Sequence, residues 1–211
     1  VSFAVDVAKQ QDIVTSELKT PGNKLVVFTM KKDTYDLPDY VQMMDSYRTI
    51  TKLVNEGVLK STYTVGFGGV AEAVSKMAFG NKLGVAVDEN FDAAELFKPY
   101  YGDIVAEVAP EDMDKLTVEY KVCGTVTEAP EFAYKDMKVS VDEAIAAWTK
   151  PLESVFPTRS GVEEKKIDTG LYTAKDIYIC KNKVAKPKVF IPVFPGTNCE
   201  YDTMKAFEKA G

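Results

Sequence analysis

Short apolar runs of strand type alternate with segments of helical periodicity along most of this chain, and that alternation limits the fold more than any other feature. Leu25-Val-Val-Phe-Thr-Met30 follows a Pro21-Gly22-Asn23 turn and reads as a strand. Pro38 and Asp39 then open a helix. Val41, Met44, Tyr47, Ile50 and Val54 recur on one face of it, and Gly57 closes it. Further strands are predicted at 83–88, 103–108 and 118–127, with short helices at 92–98 and 110–116 between them. A longer helix over 141–153 carries Val141, Ala144, Ile145 and Trp148 on one side and is expected on the domain edge. Helices interleaved among strands imply an α/β (α+β layered) domain, one sheet covered by helices.

The segment Gly66-Phe67-Gly68-Gly69 runs straight into a helix with Val70, Val74 and Met77 on one side, ended by Gly80-Asn81. A helix N-terminus offers unpaired N–H groups and a partial positive charge. Glycines let backbone approach an anion closely. The four residues are therefore either a phosphate cradle or a tight turn, and the spacing matches neither the Rossmann nor the P-loop pattern.

From Phe156 to Pro187 the periodicity dissolves, and we expect a surface linker there. Lys188-Val-Phe-Ile-Pro-Val-Phe194 reads as a buried-type strand, Pro195-Gly196-Thr197-Asn198 as a tight turn, and the residues from Cys199 onward as an amphipathic helix. This is the opening βα unit of a second α/β domain, at the kind of turn where open sheets place ligands. Without parallel neighbours, strand 188–194 is expected to pack on the first domain, pair with another chain or be poorly ordered. Val1 and a helix that stops at Gly211 suggest a fragment.

Composition removes several chemistries. There is no histidine among the 211 residues, so Ser-His-Asp and Cys-His catalysis and His-ligated zinc are excluded for this chain. Cys123, Cys180 and Cys199 have no metal-ligand spacing and read as reduced thiols of a cytoplasmic protein. Cys199 near a helix start lacks a histidine base, so a plain turn with Thr197 or Asn198 as cap is favoured there. The net charge of −6 argues against a nucleic-acid binder, and no apolar stretch is long enough for a membrane span. Asp88-Glu89-Asn90 and Glu111-Asp112 read as solvated turns and helix starts rather than Mg²⁺ ligands, and the Tyr100-Tyr101 pair and Trp148 as packing. No catalytic residue and no metal site is expected.

Gly66-Phe-Gly-Gly-Val-Ala-Glu-Ala73, with Met77-Ala-Phe-Gly-Asn81 and Gly84-Val85, resembles the C-terminal domain of the aminoimidazole-ribonucleotide-synthetase superfamily. Val189-Phe-Ile-Pro-Val-Phe-Pro-Gly-Thr-Asn-Cys-Glu-Tyr-Asp202 resembles the start of a class I glutaminase (glutamine amidotransferase) domain. The two in this order are similar to the large single-chain phosphoribosylformylglycinamidine synthase family. The resemblance implies residues 1–155 as the second synthetase-like C-terminal-type domain, 156–187 as linker and 188–211 as an incomplete glutaminase start. It implies a role in purine biosynthesis, as part of an ATP- and glutamine-dependent ligase that converts formylglycinamide ribonucleotide to the formylglycinamidine. ATP and Mg²⁺ would serve the parent and a structural ADP its degenerate half. The partners would be the remaining synthetase and glutaminase domains and small phosphate ligands.

Gly66, Gly68 and Gly69, with Phe67 at the tip, match the family's phosphate loop, and Gly196, Thr197 and Asn198 match the glutaminase-start turn. The family loop usually begins with His-Asp and often carries Ser-Asp, whereas here the run is Tyr63-Thr64-Val65-Gly66. That loss implies a mainly structural, non-catalytic copy, inactive on its own. Cys199 is not the glutaminase nucleophile, which the resemblance places beyond residue 211. The alternatives are a stand-alone phosphate- or nucleotide-binding module and an interaction scaffold.

Overall fold

The computed structural model describes residues 7–159 and 179–210, with isolated positions at 3, 5, 170, 173, 175 and 176. The chain divides into two compact units, Val1–Gly161 and Val162–Gly211.

The first unit is built on a seven-stranded sheet in the order β2-β4-β1-β5-β3-β6-β7. Its strands are β1 (Lys24–Phe28), β2 (Leu59–Thr64), β3 (Gly84–Val87), β4 (Ile104–Val108), β5 (Tyr120–Thr127), β6 (Glu131–Tyr134) and β7 (Met137–Ser140). All neighbours are antiparallel except β3 and β6. The helices are α1 (Tyr40–Asn55), α2 (Gly69–Asn81), α3 (Ala93–Leu96) and α4 (Val141–Thr149).

The central strand β1 explains the layering. Leu25, Val26, Val27 and Phe28 are all buried, and alternate side chains serve opposite faces. Leu25 and Val27 join Val70, Val74 and Met77 of α2 and Val141 of α4 in one core. Val26 and Phe28 join Ile50 and Leu53 of α1 in the other. Helices therefore cover both faces, which is why β1 reads as a continuous apolar run rather than an alternating one.

Local signals set most boundaries. Asp39 caps α1 by accepting from Val41 N and Gln42 N, and Lys82 in the left-handed region ends α2. Ser140 caps α4. That helix stops at Thr149 and continues only as a 3-10 turn over Lys150–Leu152, where Pro151 removes a donor. Trp148 on it is exposed, stacked at 5.6 Å on Phe79. The expected helix over 110–116 is a 3-10 turn, Pro110–Lys115.

Three strands were not anticipated. β2 precedes the glycine loop, where the sequence reads Leu-Lys-Ser-Thr-Tyr-Thr with few purely apolar residues. β6 and β7 form a hairpin whose β7 residues are all exposed, so no core-facing alternation marks it.

In the second unit, α5 spans Glu200–Ala210. The strand expected at 188–194 is not formed: these residues are coil and mostly exposed, with Phe190 at 87%. A single strand has no ladder to complete, and Pro192 removes one of its donors. The expected βα unit thus has its helix and not its strand. Nearly half of the expected linker, and Gly211, lie outside the described residues.

Candidate functional site

The glycine loop is held between two strand-supported anchors. β2 ends at Thr64 opposite Ile104, and Val65 N donates to Asp103 O at 2.9 Å. The chain then turns back on itself, with Gly69 N donating to Gly66 O at 3.2 Å. Gly69 has φ +72°, and a Cβ there would lie 2.5 Å from Leu96 O and 2.8 Å from Phe97 C. Only glycine allows α2 to begin against the end of α3 in this way. Phe67, at the tip, is 81% exposed.

One of the donors at the helix start is already engaged. Gly68 is the N-cap of α2, and its N–H donates to Glu72 Oε2 at 2.7 Å. The same carboxylate accepts from Lys76 Nζ at 2.6 Å, one turn further on. A Cβ at position 68 would meet Glu72 Cβ at 2.6 Å and Oε2 at 2.7 Å, so Gly68 is required by the returning carboxylate. A glutamate reaching back to the N-cap amide resembles the return half of a capping box. Lys76, then the Gly68 amide, hold the Glu72 carboxyl below its usual range, and Glu72 in turn raises Lys76. Tyr63, at the end of β2, also interacts with Lys76 and raises it further. The ammonium lies 6.0 Å from the centroid of Trp148.

The other residues singled out from sequence do not join this site. In the second unit Thr197 N donates to Phe194 O, and Thr197 Oγ1 accepts from Phe194 N, both at 2.9 Å. Gly196 has φ +90° and Cys199 φ +67°. Thr197 therefore closes the turn preceding α5. Asp88 organises an Asx turn by accepting from Asn90 N. Asp112 pairs with Lys115 and Lys60. Among the described residues no cluster of His, Cys, Asp or Glu could hold a metal ion, and no helix is long and apolar enough to cross a membrane.

Sequence reasoning did not single out Glu72 and Lys76. The signal was their i,i+4 spacing on a helix that starts with glycines. Chemically, the loop displays a turn whose N-cap donor is satisfied by an internal, charge-balanced carboxylate. No nucleophile–base pair accompanies it among the described residues.

This mixed sheet, with helices on both faces and a glycine-rich turn leading into α2, is the fold of PurL-type synthetase structures. Phosphoribosylformylglycinamidine synthase II from Thermotoga maritima matches 77% of the chain and 31% of its own, at TM-score 0.54 and 18% identity. T. maritima PurL complexed with FGAR matches 63% and 29%, at TM-score 0.52 and 16% identity. The complex with AMPPCP matches 95% and 34%, at TM-score 0.53 and 16% identity.

In sequence the chain is related to phosphoribosylformylglycinamidine synthase subunit PurL. It is 25% identical to that of Pelagibacter ubique over 167 residues, 66% of this chain and 23% of the relative. It is 23% identical to that of Lactobacillus acidophilus over 166 residues, 69% of this chain and 22% of the relative. The chain thus matches less than a quarter of the length of these relatives. No protein-family model matches it.

Proposed function

We propose that this chain is part of a phosphoribosylformylglycinamidine synthase, the ligase that uses ATP and glutamine to convert formylglycinamide ribonucleotide to formylglycinamidine ribonucleotide. What supports this is one coincidence: the sequence relation to PurL extends over about two-thirds of the chain, and the fold is that of PurL. In the parent, residues 1–155 serve as a C-terminal-type synthetase domain, 156–187 connect, and 188–211 open the glutaminase domain. The parent works in the cytoplasm with ATP and Mg²⁺, and its other domains are this segment's partners.

The segment's own role is mainly architectural. A phosphate arriving at Gly66–Gly69, or a structural ADP lying there, meets the Glu72 carboxylate already on the Gly68 amide. The chain on its own is inert in this reading, because no complete constellation of nucleophile, base and nucleotide site stands among its described residues. The test is an assay of formylglycinamidine ribonucleotide formation by the polypeptide that carries this segment. Product that requires both ATP and glutamine supports the reading, and its absence from a folded, complete protein overturns it. Glutamine hydrolysis by the segment alone would overturn the claim of inertness.

A further inference from the structure

The two ends of the first unit's sheet differ in the large apolar side chains they expose. β1, β2 and β3 end where β4 and β5 begin, and the β6–β7 turn lies at that same end. The chain at this glycine-loop end exposes Tyr35, Tyr40, Phe67, Phe97, Tyr101 and Met137, with Tyr35 at 82%. At the other end, residues 19–23, 56–58, 82–83, 109–115 and 128–130 expose no large apolar side chain. Exposed apolar groups gathered on one face mark a surface that another surface covers.

These side chains are held out on ordered backbone. Asp33 Oδ1 accepts from Tyr35 N at 2.8 Å and from Leu37 N at 3.0 Å, and Lys32 bridges to Pro38, which pins the loop carrying Tyr35. Tyr47 Oη donates to Gly102 O at 2.7 Å, beside Tyr101. The turn from Gly66 to Gly69 fixes Phe67. Preset side chains lose little freedom when a partner covers them. Phe97 and Met137 also line an apolar cavity of about 290 Å³, whose inner wall includes Val74, Val85 and Cys123. No charged side chain lines it. An uncharged recess beside exposed aromatic rings has the form of an anchor pocket in a protein interface, and offers nothing to a charged ligand.

We propose that the glycine-loop end of the sheet is the docking face for a further domain of the same polypeptide. That domain covers Tyr35, Phe67 and Tyr101 and sets an apolar side chain into the cavity. The proposal rests on the synthase reading, in which this chain is one part of a longer protein: the PurL relatives carry more than three-quarters of their length outside the match.

The test uses the complete polypeptide with Tyr35→Cys or Tyr101→Cys. Each new thiol is labelled in the native protein and in urea, and the sites are mapped by mass spectrometry. Under a docked domain each should react at least tenfold more slowly in the native protein. A variant that detaches the domain reacts fast but lowers the melting temperature, which a substitution on a free surface leaves unchanged. Fast labelling at both positions with an unchanged melting temperature overturns the proposal. Protection that grows with protein concentration also overturns it, because a second copy then covers the face. Synthase activity is read on the same protein, so an active protein with a free face overturns this proposal alone.

Discussion

Glu72 Oε2 accepts from the backbone N–H of Gly68 at 2.7 Å, so one of the amides that an external anion would meet at the start of α2 is bonded to the chain's own carboxylate. Glu72→Gln keeps an acceptor but removes the charge that faces both the helix N-terminus and Lys76. Glu72→Ala removes the contact altogether and should cost about 1 kcal/mol, the usual scale for a lost cap at a partly exposed position. Urea unfolding measures this. The Gly68 amide gives an independent readout: adding phosphate should leave it in place in the native protein and move it in Glu72→Ala. A native Gly68 amide that already responds to phosphate would contradict this picture.

Gly69 and Gly66 sit three residues apart and should respond oppositely to alanine. At Gly69 the backbone is left-handed, and a Cβ would press on Leu96 O at 2.5 Å and Lys98 O at 2.9 Å. Neither is a flexible side-chain end, so Gly69→Ala should cost about 3 kcal/mol or more. At Gly66 the nearest atom to a Cβ is Glu72 Oε2 at 3.6 Å, an ordinary contact. Gly66→Ala should stay within about 0.5 kcal/mol. Chemical denaturation of the pair separates them.

These contrasts also show what the sequence could carry. β1, α1 and α2 are legible because each buries apolar side chains at its own period, and the helices carry stop signals at or near their ends, Gly57 and Gly80-Asn81. β2 was not, because Ser61 is buried for its hydroxyl rather than its apolarity. The β6–β7 hairpin turns at Lys135, φ +53°, where no glycine announces it. The strand at 188–194 failed for the opposite reason: its apolar pattern is good, but a strand exists only with a neighbour. At the glycine loop the sequence singles out Gly66 to Gly69 but carries no sign of the Glu72 carboxylate on the Gly68 amide. Whether Gly68 receives a phosphate or a glutamate depends on a side chain returning from one turn ahead.

Glu107 is the polar hub of the fold, fully buried on β4. Its carboxylate accepts from Lys19 N at 2.8 Å, Thr20 N at 2.9 Å, Asn23 Nδ2 at 2.7 Å and Ser61 Oγ at 2.9 Å. That ties the segment before β1 to the sheet interior, while Leu18 N donates to Met77 O on α2. Glu107→Gln turns one acceptor into a donor that faces donors. The expected loss is about 3 kcal/mol. Faster hydrogen exchange at the Lys19 and Thr20 amides should localise it.

The three cysteines should separate cleanly by reactivity. Cys123 lies in the core, and burial pushes its thiol up to about 12. Cys180 and Cys199 are exposed. A thiol reagent at neutral pH should therefore modify two groups in the native protein and the third only on unfolding. Three fast thiols without denaturant would mean that the face of the sheet carrying Cys123 opens readily.

Asp103 predicts the direction of the pH dependence. Burial is the main cause that raises its carboxyl from 3.8 to about 6, against the Met30 amide and the lysines Lys32 and Lys121, which favour the charge. Tyr47 packs nearby, and its hydroxyl, itself raised by burial and then by the Asp103 charge, donates to Gly102 O at 2.7 Å. The folded state thus holds the proton more tightly than the unfolded chain. Stability from this group is present below about pH 4 and falls as pH rises to about 6, by at most about 3 kcal/mol. Most carboxylates that gain partners on folding, Glu17 among them, act in the opposite sense. The measurement is therefore a difference between native protein and Asp103→Asn across that window. The variant should gain stability relative to the native protein as pH rises from about 4 to 6, and hold that gain at neutral pH. A constant difference would mean that Asp103 titrates as an ordinary surface carboxylate.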